Sequence, residues 1–228
     1  MKVSVVIPVY NEVGTIERIV SRVQAIRLKK EIIIVDDGST DGTGERLKEI
    51  NREQENVKVL YHTWNQGKGA ALRTAFHSVT GDIVIIQDAD LEYDPREYPR
   101  LLKPILDGRA DVVYGSRFLG GPDRRPFLWH RVGNRFLTFL SRAMTNLDLT
   151  DMETGYKVFR RQVLKEMTLK SNRFGFEPEF TAKIAKKKLR VYEVPISYHH
   201  RSYAEGKKIN WKDGLVAILA ILWFRFFD

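Results

Sequence analysis

The chain has 228 residues, 43% of them hydrophobic, with 38 Lys and Arg against 29 Asp and Glu, a formal net charge of +9 and no cysteine. This is enough apolar material for one domain with a sizeable core, and the lack of cysteine excludes a disulfide framework, a thiolate zinc site and a cysteine nucleophile. The charge is uneven: residues 1–114 carry 16 basic and 18 acidic side chains, residues 115–228 carry 22 and 11. A basic half suits nucleic acid, an anionic membrane or a phosphorylated substrate, or is a solvated lysine-rich face.

The first apolar run, 3–7, is followed by Pro8, Asn11, Glu12, Glu17 and Arg18. That pattern is not a signal peptide, and the expectation is a cytosolic chain. Further Val- and Ile-rich runs at 32–35, 57–61, 83–86 and 112–114 have the length of strands buried on both faces. Helical patterns lie between them at 15–26, 42–51, 68–78 and 96–107. Together they predict an α/β domain, a mostly parallel sheet flanked by helices, in which ligands sit outside the carboxyl ends of the strands.

The second half is less regular: a loop at 120–126, a helix at 131–145, a polar segment at 150–157, a helix starting near Pro178 and a strand at 191–197. Residues 215–224 are ten consecutive apolar side chains, followed by Arg225, Phe226 and Phe227. A helix needs about 20 residues to span a bilayer, so this one belongs either to the core or to a membrane interface. The pattern divides the chain into a domain over 1–210 and a C-terminal apolar helix over 211–228.

Three strand ends carry chemistry. The first is Pro8-Val9-Tyr10-Asn11-Glu12. The second, Asp36-Asp37-Gly38-Ser39-Thr40-Asp41-Gly42, reads either as a plain turn with Asp41 capping a helix or as part of a site. The fourth run ends in Gln87-Asp88-Ala89-Asp90. Side chains alternate along a strand, so Asp88 and Asp90 point to one side. Two carboxylates so close repel unless a cation joins them, and oxygen-only ligation suits Mg²⁺ or Mn²⁺, taken with substrate phosphates.

These segments, with Asn65-Gln66-Gly67-Lys68-Gly69, resemble in order the motifs of family-2 glycosyltransferases with the GT-A fold. Within that family the chain is most similar to the polyprenyl-phosphate sugar transferases typified by dolichol-phosphate mannose synthase. The later match is Tyr114-Gly115-Ser116-Arg117-Phe118, residues 150–157, and Glu193-Val194-Pro195-Ile196 followed by Arg201 and Lys207. The resemblance implies a Rossmann-like single domain. It places Pro8, Tyr10, Glu12, Val35 and Asp37 around the donor base and ribose, and Asp88, Ala89 and Asp90 at the diphosphate. Asp90 would be the direct metal ligand. Glu92 stands where many relatives have Gln, as a further ligand or a polar contact. Arg117 and Arg131 match acceptor-phosphate residues, and Arg201 and Lys207 a loop closing over the donor diphosphate. The implied catalytic set is Asp88, Asp90 and Arg117.

The implied reaction moves a hexose, mannose favoured, from GDP-mannose or a UDP-hexose to a polyprenyl phosphate with inversion. It implies a nucleotide-sugar donor, a divalent ion, peripheral attachment to the cytoplasmic face of a membrane and room for a membrane-protein accessory subunit. One rival is the same fold glycosylating a hydroxyl, with Glu153 or Asp151 as base. Another is a nucleic-acid-binding protein, which the acidic strand ends and the lack of a nucleic-acid motif oppose. A third, a noncatalytic membrane scaffold, leaves the acidic pair without a purpose. Gly67-Lys68-Gly69 lacks the spacing of a phosphate loop and reads as a loop and helix start. His199 and His200, adjacent on a strand, point to opposite faces, and Lys186-Lys187-Lys188 reads as a solvated helix end.

Overall fold

The Val- and Ile-rich runs form strands where expected: β1 (Val3–Val9), β2 (Lys30–Asp36), β3 (Val57–Tyr61), β4 (Ile83–Ile86) and β5 (Val112–Ser116), joined later by β7 (Val191–Pro195). The structure is a computed structural model that describes residues 1–119, 128–165, 167–200 and 211–227. The expected loop at 120–126 lies outside the described residues. Among those described, seven strands form one sheet in the order β3-β2-β1-β4-β6-β5-β7.

The member that sequence reasoning missed is β6 (Lys157–Arg160), which runs antiparallel to both β4 and β5. Only Val158 and Phe159 are apolar in it, and the polar segment expected at 150–157 runs straight into it. Lys157 nevertheless lies inside, 1% exposed, because its ammonium donates to the carbonyls of Met152 and Thr154. All other pairings are parallel.

Alternation along the strands builds a core on each face. Val5, Ile7, Ile32 and Ile34 face one layer, packed with α1 (Ile16–Ala25), α2 (Thr43–Glu53) and α4 (Tyr98–Leu106). Val6, Ile33 and Val35 face the other, with α3 (Lys68–Phe76), the short α6 (Gln162–Lys165) and α7 (Phe176–Lys186). From β1 the chain builds outward through β2 and β3, then returns to place β4 on the other side of β1. The carboxyl ends of β1 and β4 therefore flank a topological switch point, the crevice where open α/β sheets bind ligands.

Two helices close the second half, α5 (Leu128–Thr145) and α8 (Trp211–Phe226), packed on each other and on α7. The apolar C-terminal run is buried along one stripe and exposed elsewhere. Ala217, Ile221 and Phe224 form a buried stripe, and Phe224 lies under the Lys183 ammonium of α7. Leu215, Leu219, Trp223, Phe226 and Phe227 remain exposed. On α5 the usual polarity is reversed: Thr138 and Ser141 are buried while Val132, Phe136 and Phe139 are exposed, Phe139 by 68%. Among the described residues no helix is long and apolar enough to cross a membrane.

Candidate active site

At the end of β2 the two aspartates divide their work. Asp36 accepts from Ser39 N at 3.0 Å and so shapes the turn. Asp37, 2% exposed, lies 2.7 Å from His62 Nδ1 and accepts from Gln66 N at 3.0 Å and Gly67 N at 2.7 Å. Its carboxylate thus holds the approach to α3. Gly38 makes this possible: its φ is +72°, and a Cβ there would stand 2.6 Å from the Trp64 backbone. Asp41 takes the turn reading, accepting from Thr43 N at 3.0 Å and Val13 N at 3.1 Å. Glu12 is nearly buried and accepts from Thr15 Oγ1 at 2.7 Å. Pro8 is buried within β1 and Val35 belongs to the core, wholly unexposed. Tyr10 is half-buried at the strand end.

The end of β4 is tied down by a residue that motif reading passed over. Gln87, fully buried, accepts from Tyr98 OH at 2.9 Å and Tyr156 OH at 2.7 Å, and donates to the Asp88 carbonyl at 3.0 Å. A lone Gln closing an apolar strand is the signal that pointed to it. Asp88 and Asp90 then stand beside the switch point with Ala89 buried between them. Asp88 already has a cation: Lys68 Nζ lies 3.0 Å from its Oδ1 and 3.1 Å from Glu177 Oε1. Lys68 opens α3, so Gly67-Lys68-Gly69 is a helix start, as read, that also carries a site cation. Gly155 leaves Asp88 its room, since a Cβ there would meet Asp88 Oδ2 at 2.1 Å.

Asp90 is the unbalanced member. Burial, then the Asp88 and Glu92 carboxylates, push its carboxyl up to about 8. Among the described residues its Oδ1 accepts one backbone amide, Glu92 N, at 3.1 Å. Glu92 turns elsewhere, its Oε2 accepting from Tyr198 OH at 2.6 Å. Among the described residues no group of three His, Asp or Glu side chains is gathered for a metal; Lys68 lies against Asp88, Tyr198 lies against Glu92, and both carboxylates act on Asp90.

Arg117, the residue after β5, is held by a carboxylate. Its Nε and Nη2 bond both oxygens of Asp151 at 2.6 and 2.7 Å, and its backbone N donates to Asp151 at 3.1 Å. Asp151 is wholly buried and also accepts from Asn134 Nδ2 of α5 at 3.0 Å. Burial alone would raise the Asp151 carboxyl, but Arg117 outweighs it and holds the group below the usual range. The guanidinium lies 5.2 Å from the Tyr198 ring centre. Tyr198 thus joins Arg117 to Glu92. Arg131 lies in the first turn of α5, and its side chain is outside the described residues, as are Arg201 and Lys207.

Between these two groups lie Glu153, Lys157 and Glu177. Burial and then Glu177 push the Glu153 carboxyl up, while burial pushes Lys157 down. Glu177 was not singled out from sequence; its position in the first turn of a helix disguised it as an ordinary dipole partner.

The profile described as Glycosyl transferase family 2 matches residues 4–168. The chain is 32% identical over 212 residues to a dolichol-phosphate mannosyltransferase of Pyrococcus furiosus, covering 91% of this chain but 59% of that enzyme. It is 31% identical to an undecaprenyl-phosphate mannosyltransferase of Micrococcus luteus, covering 91% of this chain and 87% of the relative. A polyprenol monophosphomannose synthase of Mycolicibacterium smegmatis is 33% identical, with 89% and 79% covered. In three dimensions the chain is similar to glucosyl-3-phosphoglycerate synthase of Mycobacterium tuberculosis, solved with Mn²⁺, UDP and phosphoglyceric acid, at a TM-score of 0.75 and 20% identity, over 100% of this chain and 79% of that one. With the family profile spanning most of the chain, the chain belongs to glycosyl transferase family 2.

Proposed function

We propose that the protein is an inverting, divalent-metal-dependent transferase that moves a hexose, mannose favoured, from a nucleotide sugar to a polyprenyl phosphate at a membrane surface. The observation that carries this reading is the charge imbalance at Asp90, a half-buried carboxyl beside other carboxylates at the switch point, with a backbone amide as its donor. The residues fit a divalent ion: Asp90 gains most from one, with Asp88 and Glu92 beside it. Mg²⁺ characteristically takes one or two carboxylates and completes its shell with substrate phosphates and water. When bound, such an ion neutralises charge on the leaving diphosphate. The names of the sequence relatives support the donor and acceptor classes.

The chain's own residues do the rest. Tyr10, Glu12 and the loop held by Asp37 frame the nucleoside, with Pro8 and Val35 supplying the strands beneath. Lys68 stands beside Asp88 as a fixed cation on the diphosphate side. The Asp151 pair occupies Nε and Nη2 of Arg117, so an acceptor phosphate is met by Nη1, with Arg131 as its expected partner. Arg201 and Lys207 complete the donor site. A prenyl phosphate is an anion at neutral pH and attacks the anomeric carbon without a base; the bond from that carbon to the diphosphate breaks on the opposite face. Alignment of this kind accounts for up to roughly 7–11 kcal/mol of a barrier.

For a hydroxyl acceptor a base is needed. Asp151 is unsuited, since it is wholly buried and committed to Arg117. Glu153 remains for that role, supported by its raised carboxyl. Incubation with labelled nucleotide hexoses, Mn²⁺, a short prenyl phosphate and free saccharides separates the two: lipid-linked product supports the first reading, and label on saccharide alone the second.

Membrane contact is assigned to the outward faces of α5 and α8. Both present large apolar side chains while their buried faces are already matched, and contiguous exposed apolar surface marks a contact site. Trp223, Phe226 and Phe227 beside exposed Arg225 have the mixture expected at a lipid interface.

A further inference from the structure

Two carboxylates in the first turn of α7 differ in a telling way. Glu179 is wholly buried and fully matched: Oε1 accepts from Lys170 N and Lys183 Nζ, both at 2.7 Å, and Oε2 from Ser171 N at 2.7 Å. It anchors the loop before the helix. Glu177 is also buried, 3% exposed, and gives Oε1 to Lys68, but its buried Oε2 has no hydrogen-bond partner among the described residues. The same holds for Oε1 of Glu153. Buried polar atoms are nearly always matched in native structures, and each exception asks for a ligand, a water or a chemical role.

Their position narrows the choice. Glu177 is one ammonium away from Asp88, through Lys68. Glu153 lies two residues after Asp151, the partner of Arg117, and feels the Glu177 carboxylate as well. The two acids therefore stand between the donor carboxylates and the acceptor arginine. In the nucleotide-sugar reading, on which this inference rests, the transferred sugar occupies that interval. Its hydroxyl groups are the donors that two unmatched carboxylate oxygens lack. A site built to hydrogen-bond a hydroxyl rejects an analogue that cannot supply it, because the polar atom is then left unpaired.

We propose that Glu153, backed by Glu177, accepts hydrogen bonds from hydroxyl groups of the donor hexose and sets which hexose is taken. Glu153 acts here as a specificity residue on the sugar, distinct from a base on an acceptor.

Calorimetry with Mn²⁺ present compares a nucleoside diphosphate with its nucleotide hexose for the wild type, Glu153→Gln and Glu153→Asp, with melting curves to establish folding. The affinity that the sugar adds falls about tenfold in both variants, as expected for losing a hydrogen bond in a buried site, while affinity for the diphosphate stays within about twofold. Discrimination between epimeric hexoses narrows in parallel. Glu153→Asp keeps a carboxyl group but withdraws its oxygens, so wild-type behaviour of that variant would mean that the acid acts without contacting the sugar and would overturn the proposal. An undiminished sugar increment in both variants would mean that water fills the site, and would overturn it too. If the wild type binds neither nucleotide, the nucleotide-sugar reading falls first and takes this inference with it.

Discussion

Two half-buried carboxylates at opposite ends of the sheet, Glu31 and Asp90, are treated in opposite ways. At the amino end, Glu31 accepts from Lys2 Nζ at 2.6 Å, Ser4 Oγ at 2.5 Å, and Thr80 N and Oγ1 at 2.7 Å. Burial works to raise its carboxyl, but these donors outweigh burial and hold it at about 2. At the carboxyl end, Asp90 has one backbone donor and neighbouring carboxylates, and is pushed up to about 8. One end spends its polar groups on stability. The other leaves Asp90 short of donors beside the switch point.

The largest effect expected from this contrast is at Asp90. Asp90→Asn should lower transfer about a thousandfold, the scale seen when charge stabilisation of a leaving group is removed. The folded carboxyl titrates above its ordinary value, so the ionised form costs stability at neutral pH. The variant should therefore melt at the same temperature as the wild type or higher in chelator. A variant that loses both activity and stability would break the contrast.

Next is Asp151→Asn, which leaves a buried guanidinium without its carboxylate. Removing one partner of a buried pair costs about 3–5 kcal/mol, to be read by chemical denaturation. A cost below about 1 kcal/mol, typical of an exposed pair, would show that Arg117 is not held as described.

At the amino end, Glu31→Gln should cost about 1–2 kcal/mol at pH 7, discounted for its partial exposure, and should leave activity per folded molecule unchanged. The sign follows from the depressed carboxyl: its contribution is complete above about 4.5 and is lost as pH falls toward about 2. Acid melts of wild type and variant should converge over that window. The smallest effect is at the surface: replacing Phe136 and Phe139 with Ser should reduce binding to anionic vesicles about tenfold without altering short-chain transfer.

How much of this was legible in sequence follows the same division. Strand runs such as 83–86 are continuous and apolar, so β1 to β5 and the Asp88 and Asp90 ends were readable from local pattern. Strand β6 was not, because Lys157 is buried only through carbonyls that the fold brings to it. The partners that redirect the expected site residues come from far along the chain: Glu177 to Lys68, Tyr198 to Glu92, Asp151 to Arg117. Motif spacing marks the residues but says nothing of such pairings. The helix at 131–145 was readable as a helix, but periodicity alone does not say which of its sides turns inward, so the exposure of Phe136 and Phe139 came only with the fold.

The most direct measurement is transfer itself. The protein, Mn²⁺ and a panel of labelled nucleotide hexoses are incubated with a short-chain prenyl phosphate, and the organic-extractable product is tested for anomeric configuration. The account predicts labelled prenyl-phosphate hexose of inverted configuration, lost in chelator and in Asp90→Asn. Labelled saccharide with no lipid product from any donor, or full lipid product in chelator, would contradict it.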